Sequence, residues 1–314
     1  MSESSSTTGL RPLEHLSPNQ KAWRRFKANK PAMISLWFLV VVLLGVLLWP
    51  LLSHLHPNEV SDAQFHTPEA AHWFGTDVNG RDLLARVCYG ARISLLVGAV
   101  GAGVSLIIGV FWGAVAGYVG GRLDAWMMRT VDILYSLPSI VFVIVLITTL
   151  EGLAKTWLIS KSGGEPPVSI RLLFLFVGLG AVSWLTMARI VRGQVLSLVQ
   201  RSFIEASRSL GASHARILWR HILPNILGVV IVYLTLTVPA MILYESFLSY
   251  LGLGIQPPMA SWGSLIAEGA KQLNPIRIYW WLLVFPSAML ISTLLALNFL
   301  GDGLRDAFDP RGKT

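Results

Sequence analysis

Residues 203–225 read FIEASRSLGASHARILWRHILPN, a helix-forming, arginine-rich stretch set between two long apolar runs. Its charge decides where it can lie. Placing Arg208, Arg216 or Arg220 at the centre of a bilayer costs about 3 kcal/mol each on the insertion scale, against about 0.5 kcal/mol gained per Leu or Ile. The segment therefore stays in water and joins two membrane crossings. Gly211 lets the backbone turn, Ser213 is placed to cap the helix that follows, and Pro224 is expected to limit that second helix at its far end. The expected shape is a bent, protruding two-helix hook.

Working outward, 54% of the 314 residues are hydrophobic and only 13% are charged. The mean hydropathy is +0.60. A chain this apolar cannot cover a soluble core with polar surface, so an integral membrane protein is expected. Six runs are long enough to cross an apolar layer of roughly 30 Å at about 1.5 Å per residue: Met33–Leu52, Ile93–Val119, Ile133–Leu150, Leu172–Ala188, Ile226–Tyr244 and Ile278–Leu300. They are continuous and rich in Leu, Val and Ile rather than alternating, which points to helices and against a β-barrel.

Lys and Arg sort these crossings. Arg11, Lys21, Arg24, Arg25, Lys27 and Lys30 precede the first run, so the amino terminus is expected inside. Alternating six crossings then puts Arg122 and Arg129, the hook arginines with Arg189, Arg192 and Arg201, and Arg305, Arg311 and Lys313 inside as well. The net charge of +8 is thereby explained without a nucleic-acid partner. The single cysteine, Cys88, excludes an internal disulfide and a Cys-based metal site. His54, His56, His66 and His72 are irregularly spaced in a turn-rich segment and lack the same-face geometry of a metal helix, so no metal is expected.

The divisions expected are a polar and basic tail (1–32), an anchor helix (33–52) that is too long for a cleaved signal, and an outside segment (53–92). The main helical unit (93–300) contains the water-exposed loop 189–224, and a charged tail (301–314) follows. Residues 1–20 are polar and Ser/Thr-rich, the composition of a disordered tail. The second crossing carries small residues every fourth position: Gly101, Ser105, Gly109, Gly113, Gly117 and Gly121. Such a stripe lets another helix approach closely and is expected to be a packing face. Pro138, one turn into the third run, is expected to kink it. Residues 151–171, EGLAKTWLISKSGGEPPVSIR, are read as a polar outside loop and Ser261–Lys271 as a short, protein-covered helix at the outer face. Glu245 falls beside the outer boundary and is expected to be interfacial.

No glycine-lysine-hydroxyl phosphate loop occurs anywhere; Ala154, Lys155 and Thr156 lack its glycines. Nucleotide hydrolysis, if it drives this chain, belongs to another, and no ATP, magnesium or other cofactor is expected here.

Several motifs in order resemble the ABC importer permeases of the oligopeptide, dipeptide and nickel family, most nearly the oligopeptide C-type subunits. Glu205 and Ala206, with Gly211 six residues after the Glu and then Ile222, Leu223 and Pro224, are similar to that family's EAA loop, although Ser207 stands at its usual final small position and Phe203 where tyrosine is common. The segments HWFGTDVNGRDLLARVCYGARISL (72–95), SFLSYLGLGIQPPMASWG (246–263) and LGDGLRDAFDP (300–310) extend the likeness across residues 20–312.

The resemblance implies an all-α, six-crossing, type I importer permease bundle with a cytoplasmic coupling loop, in a bacterial inner membrane with both termini cytoplasmic. It implies a homologous B-type permease, two ABC ATPase subunits that bind ATP and magnesium, and an external substrate-binding protein. It places the ATPase contact at Glu205, Ala206, Ser207, Leu210, Gly211, Ala212, Ser213 and Ile217, with Glu205 orienting the hook through a hydrogen bond or ion pair. An ion-coupled carrier working through Asp132 or Glu245 is the alternative. A hydrolase built on Gly211, Ser213 and His214 lacks a third member and a dry pocket.

Overall fold

The computed structural model describes residues 17–53, 55–162 and 168–308. Expectations for residues 1–16, for His54, for the Gly-Gly and Pro-Pro pairs near 165 and for residues 309–314 fall outside that range. Eleven α-helices and one π-turn make up the described regular structure, and among the described residues the only β pairing is two isolated bridges. Six helices are long and apolar enough to cross a membrane: Lys30–Trp49, Leu83–Val119, Ser139–Thr156, Leu172–Val199, His214–Tyr250 and Trp281–Phe308.

The chain opens with α1 (Pro18–Ala28), closed by a reciprocal cap between Ser17 and Gln20. It is no loose tail, since Phe26 is 3% exposed and packs with Ala22, Ala32 and Ala307. Asn29, held extended ahead of Lys30 and Pro31, makes the corner into α2 (Lys30–Leu52) and caps it through Ala32 N–H at 3.2 Å. Pro50 has no N–H, so the Val46 carbonyl four residues earlier loses its helical donor. Arg92 supplies one instead, Nε to Val46 O at 3.0 Å, which satisfies both groups inside an apolar layer.

After the outside segment comes α3 (Leu83–Val119), capped by Asp82 through Ala85 N–H at 2.8 Å. It is one helix of 37 residues, so the end of the outside segment leads into the crossing without a break at residue 92. Gly120 and Gly121, both at positive φ, turn the chain into α4 (Gly121–Ser136). The third crossing also differs from expectation. Pro138 does not kink one helix; it separates α4 from α5 (Ser139–Ser162), because the residue before a proline is driven out of the α region and Leu137 sits at φ −80, ψ 140. Residues 151–162 are helical, extending α5 through most of the expected loop, and α6 (Val168–Val199) begins just beyond.

The hook comprises α7 (Ser202–Ser209), α8 (His214–Ile217) and a π-turn at Leu218–Ile222 that runs directly into α9 (Leu223–Tyr250). Pro224 thus fails to end the second hook helix. The wider π-turn lies just ahead of it, Leu223 N–H bonding Leu218 O, and Pro224 follows at the second position of α9 with the helix unbroken. Beyond α9, Ser261 caps α10 (Trp262–Lys271), and α11 (Trp281–Phe308) completes the bundle. At the bundle's centre α3 lies against α6 and α9, while α11 bridges α9 and α2. Both described ends of the chain meet at the hook end, where Gly303 of α11 lies against Ala32 and Phe26.

Candidate functional site

The hook is held by apolar pins. Ile204, Ile217 and Ile222 are fully buried and pack with Val191 and Val195 on α6 and Ala114 on α3. Ile217, expected at the contact with a partner, is therefore out of reach of one and serves as a pin. Between the pins Gly211 takes φ +78, a conformation that costs other residues roughly 1–2 kcal/mol. Its N–H bonds Arg208 O at 2.9 Å, and Ala206 O accepts from Leu210 N at 3.0 Å. Ser213 accepts from Arg216 N at 3.4 Å and Ser207 donates to Phe203 O at 2.8 Å, so both hydroxyls serve the hook's own backbone. Ala212 is half-buried against the pins.

Among the exposed charged residues of the hook, Arg208, Arg216 and Arg220 included, three large apolar side chains also face outward: Leu210 is 87%, Trp219 72% and Phe203 42% exposed, and Ala206 and Gly211 are uncovered. Glu205 is exposed and its carboxylate has no hydrogen bond or ion pair among the described residues, contrary to the expected orienting role. Tyr118 at the end of α3 orients the hook instead. Its hydroxyl lies 2.8 Å from His214 Nδ1, and the Arg208 guanidinium sits 5.4 Å from its ring centre. Nothing local in the sequence pairs residue 118 with residue 214. The hydrolase reading has no support here, because His214 and Ser213 are both engaged structurally.

Continuity links this hook to the bundle. On one side α6 runs unbroken to Val199; on the other the hook passes into α9 without a loop. Arg192 of α6 forms a two-pronged ion pair with Asp124 of α4, its Nη2 2.6 Å from Oδ2, and Arg189 meets Asp132 at 2.7 Å. Asp132 is thus an exposed ion-pair member.

The small-residue stripe divides between two neighbours. Each four-residue step turns about 40° beyond a full helical turn, so a strict spacing drifts around the helix. Gly101 faces Met241 of α9, while Ser105 donates to Ser183 O at 2.8 Å and Gly109, Gly113 and Gly117 lie against Met187, Ala188, Val191, Arg192 and Val195 of α6. Gly121 belongs to α4, is exposed and touches nothing within 4 Å. Gly98 and Gly90, outside that spacing, meet Ile242 and the Ser261–Trp262 backbone.

At the end opposite the hook, the 72–95 motif builds an ionic knot. Arg86, 2% exposed, donates to Asp77 Oδ2 at 2.6 Å and grips Glu268 of α10 with two bonds of 2.6 and 3.0 Å. Arg81 Nε reaches the same Asp77 oxygen at 2.7 Å, and Asp77 Oδ1 accepts from the N–H groups of Asn79 and Arg81. His72 lies 2.9 Å from Asp82, a helix-capping partner. Glu245 is not interfacial. It is fully buried, accepting from Ser249 at 2.6 Å and Ser94 at 3.2 Å, while Ser94 also accepts the Trp262 N–H and so ties α10 to α3.

Comparison with known proteins assigns this arrangement. Residues 109–314 match the model of the binding-protein-dependent transport system inner membrane component, and residues 17–68 match that of the N-terminal TM domain of oligopeptide transport permease C. The oligopeptide transport system permease protein OppC of Escherichia coli K12 is 47% identical over 94% of this chain and 91% of its own length. That of Haemophilus influenzae is 44% identical over 96% and 91%. The dipeptide transport system permease protein DppC of Bacillus subtilis is 44% identical over 94% and 87%. The MetNI methionine ABC transporter, solved in inward facing conformations, shares the fold with a TM-score of 0.53 at 20% identity, over 72% of this chain and 97% of that one. The chain is thus a multi-pass ABC importer permease and belongs to the binding-protein-dependent transport system inner membrane component family.

Proposed function

We propose that this chain is one of two homologous permeases of an ATP-driven peptide importer and that its hook seats in the cytosolic ATPase. The supporting observation is the pairing of an outward apolar surface, Leu210 and Trp219, with buried pins that join it rigidly to two spanning helices. A connector needs neither the exposed leucine nor the pins. Force applied at the hook would pass along α6 and α9 and tilt the bundle, switching the cavity between its two sides. In this reading the hook end and both termini face the cytoplasm, in keeping with the basic residues gathered there. Two ATPase subunits bind ATP and magnesium, a B-type permease completes the path, and an external binding protein delivers peptide at the opposite end. The relatives named for oligopeptide and dipeptide transport support the choice of cargo.

Ion coupling through Asp132 or Glu245 is the weaker reading, since the first is exposed and paired and the second is enclosed by serines that hold α10. Leu210→Glu tests the hook. The side chain packs on nothing, so the fold should be unaffected, while burying a carboxylate at the ATPase surface should lower ATP-dependent peptide uptake at least tenfold, equivalent to about 1.4 kcal/mol. Uptake within twofold of the unaltered complex, with the ATPases still copurifying, would refute this seat.

A further inference from the structure

An open cleft of about 380 Å3 lies between α4, α5, α6 and α9. Its walls carry hydroxyls from four helices: Tyr135, Ser139, Thr186, Tyr233, Thr237 and Tyr244, interspersed with Leu, Val, Ala and Met. Among the described residues no charged side chain lines it. On α9 the lining residues recur at 233, 236, 237, 240, 241 and 244, a single helical face. Elsewhere on the same helix Leu227, Ile231 and Leu243 are exposed, and α5 exposes Val141 and Val145. Two kinds of exposed surface thus coexist, one purely aliphatic and one bearing phenols and threonines. Among the described residues none of the Tyr135, Tyr233 and Tyr244 hydroxyls has a hydrogen-bond partner. A lipid chain offers a phenol nothing to bond, so the hydroxylated face suits water or a polar solute.

We propose that this cleft is the chain's share of the transport passage and that it holds a peptide by its backbone amides. The proposal rests on the importer reading above and adds the residues that touch cargo and the chemistry by which they do so. A free phenol both donates and accepts, so it can bond an amide N–H or a carbonyl in any register, while Thr237, whose hydroxyl donates to Tyr233 O at 2.7 Å, is left to accept. Without fixed charge the walls neither attract nor repel acidic or basic side chains, and peptides of different sequence meet the same surface. Arg189, a turn beyond Thr186 on α6, is occupied, 2.7 Å from Asp132 and 4.2 Å from the Tyr135 ring centre.

The test uses the assembled complex in proteoliposomes, with Cys88→Ser removing the native thiol and Thr237→Cys placing one in the cleft. A charged, membrane-impermeant maleimide should react at least tenfold faster there than with Leu227→Cys on the aliphatic face. Saturating tripeptides with a central alanine, glutamate or lysine should each slow that reaction, to within threefold of one another. A rate no faster than that of Leu227→Cys, meaning that lipid or the partner permease fills the cleft, would overturn the proposal. So would protection by one charge class exceeding the others tenfold. ATP-dependent uptake of the alanine tripeptide is followed in the Cys88→Ser parent: its absence defeats the importer reading itself, whereas uptake with an unreactive cleft thiol defeats only the cleft.

Discussion

In an Arg86→Ala variant, about 3–5 kcal/mol of stability is expected to be lost, read as a collapse of the thermal midpoint or of folded yield in detergent. Arg86 is 2% exposed and neutralises two acids at once, Asp77 on the outside segment and Glu268 on α10. Among the described residues, removing it leaves Asp77, also buried, with only Arg81 as a charge partner, and leaves Glu268 with Arg81 Nη2 at 3.5 Å in place of two short bonds. Most of the cost is that of a carboxylate kept from water without its charge partner, rather than the strength of the pair itself. Arg86→Lys should recover only part of the loss, because an ammonium cannot present the flat fork that reaches both Glu268 oxygens and Asp77 together. A midpoint within measurement error of the parent for the alanine variant would show that the knot carries no stability.

Gly113→Leu is expected to separate α3 from α6, with a loss of about 3 kcal/mol or more and aggregated or degraded protein. A Cβ added at Gly113 would meet Val191 Cβ at 2.9 Å, Arg192 N at 3.0 Å and, closest, the Ala188 carbonyl oxygen. Two of these are backbone atoms of a long helix and cannot step aside. The sign of the smaller change is diagnostic. In an exposed helix Gly→Ala is favourable by about 0.5–1 kcal/mol, because alanine restricts the unfolded chain. Gly103, ten residues earlier on α3, has nothing within 4 Å of its added Cβ, so Gly103→Ala should hold or raise the midpoint while Gly113→Ala lowers it. Equal effects at the two positions would mean that close approach is not what Gly113 provides.

Six crossings, the bent hook between two of them and the turn at Gly211 were legible in the residues because each rests on a local quantity. A run of apolar residues has a length, arginine has a transfer cost, and a positive φ selects glycine. Breaks set by proline were harder to place, since proline's effect depends on what can take up the missing bond. Pro138 splits two helices, Pro224 follows a π-turn in an unbroken one, and Pro50 leaves a carbonyl to Arg92. The same holds for charge. Glu245 lay near a boundary in the sequence, yet its burial depends on serines from 94 to 261 that only the folded bundle brings together.

The amino-acid sequence by itself determined that the chain crosses a membrane as helices and which family it resembles, because these follow from composition, spacing and motif order along one dimension. Tertiary structure alone decided that Ile217 pins the hook while Leu210 faces outward, that Tyr118 rather than Glu205 orients it, and that Arg86 locks α3 to α10. Each of those facts joins residues distant in the chain, and the energy of a buried pair exists only once packing has removed the water between its members.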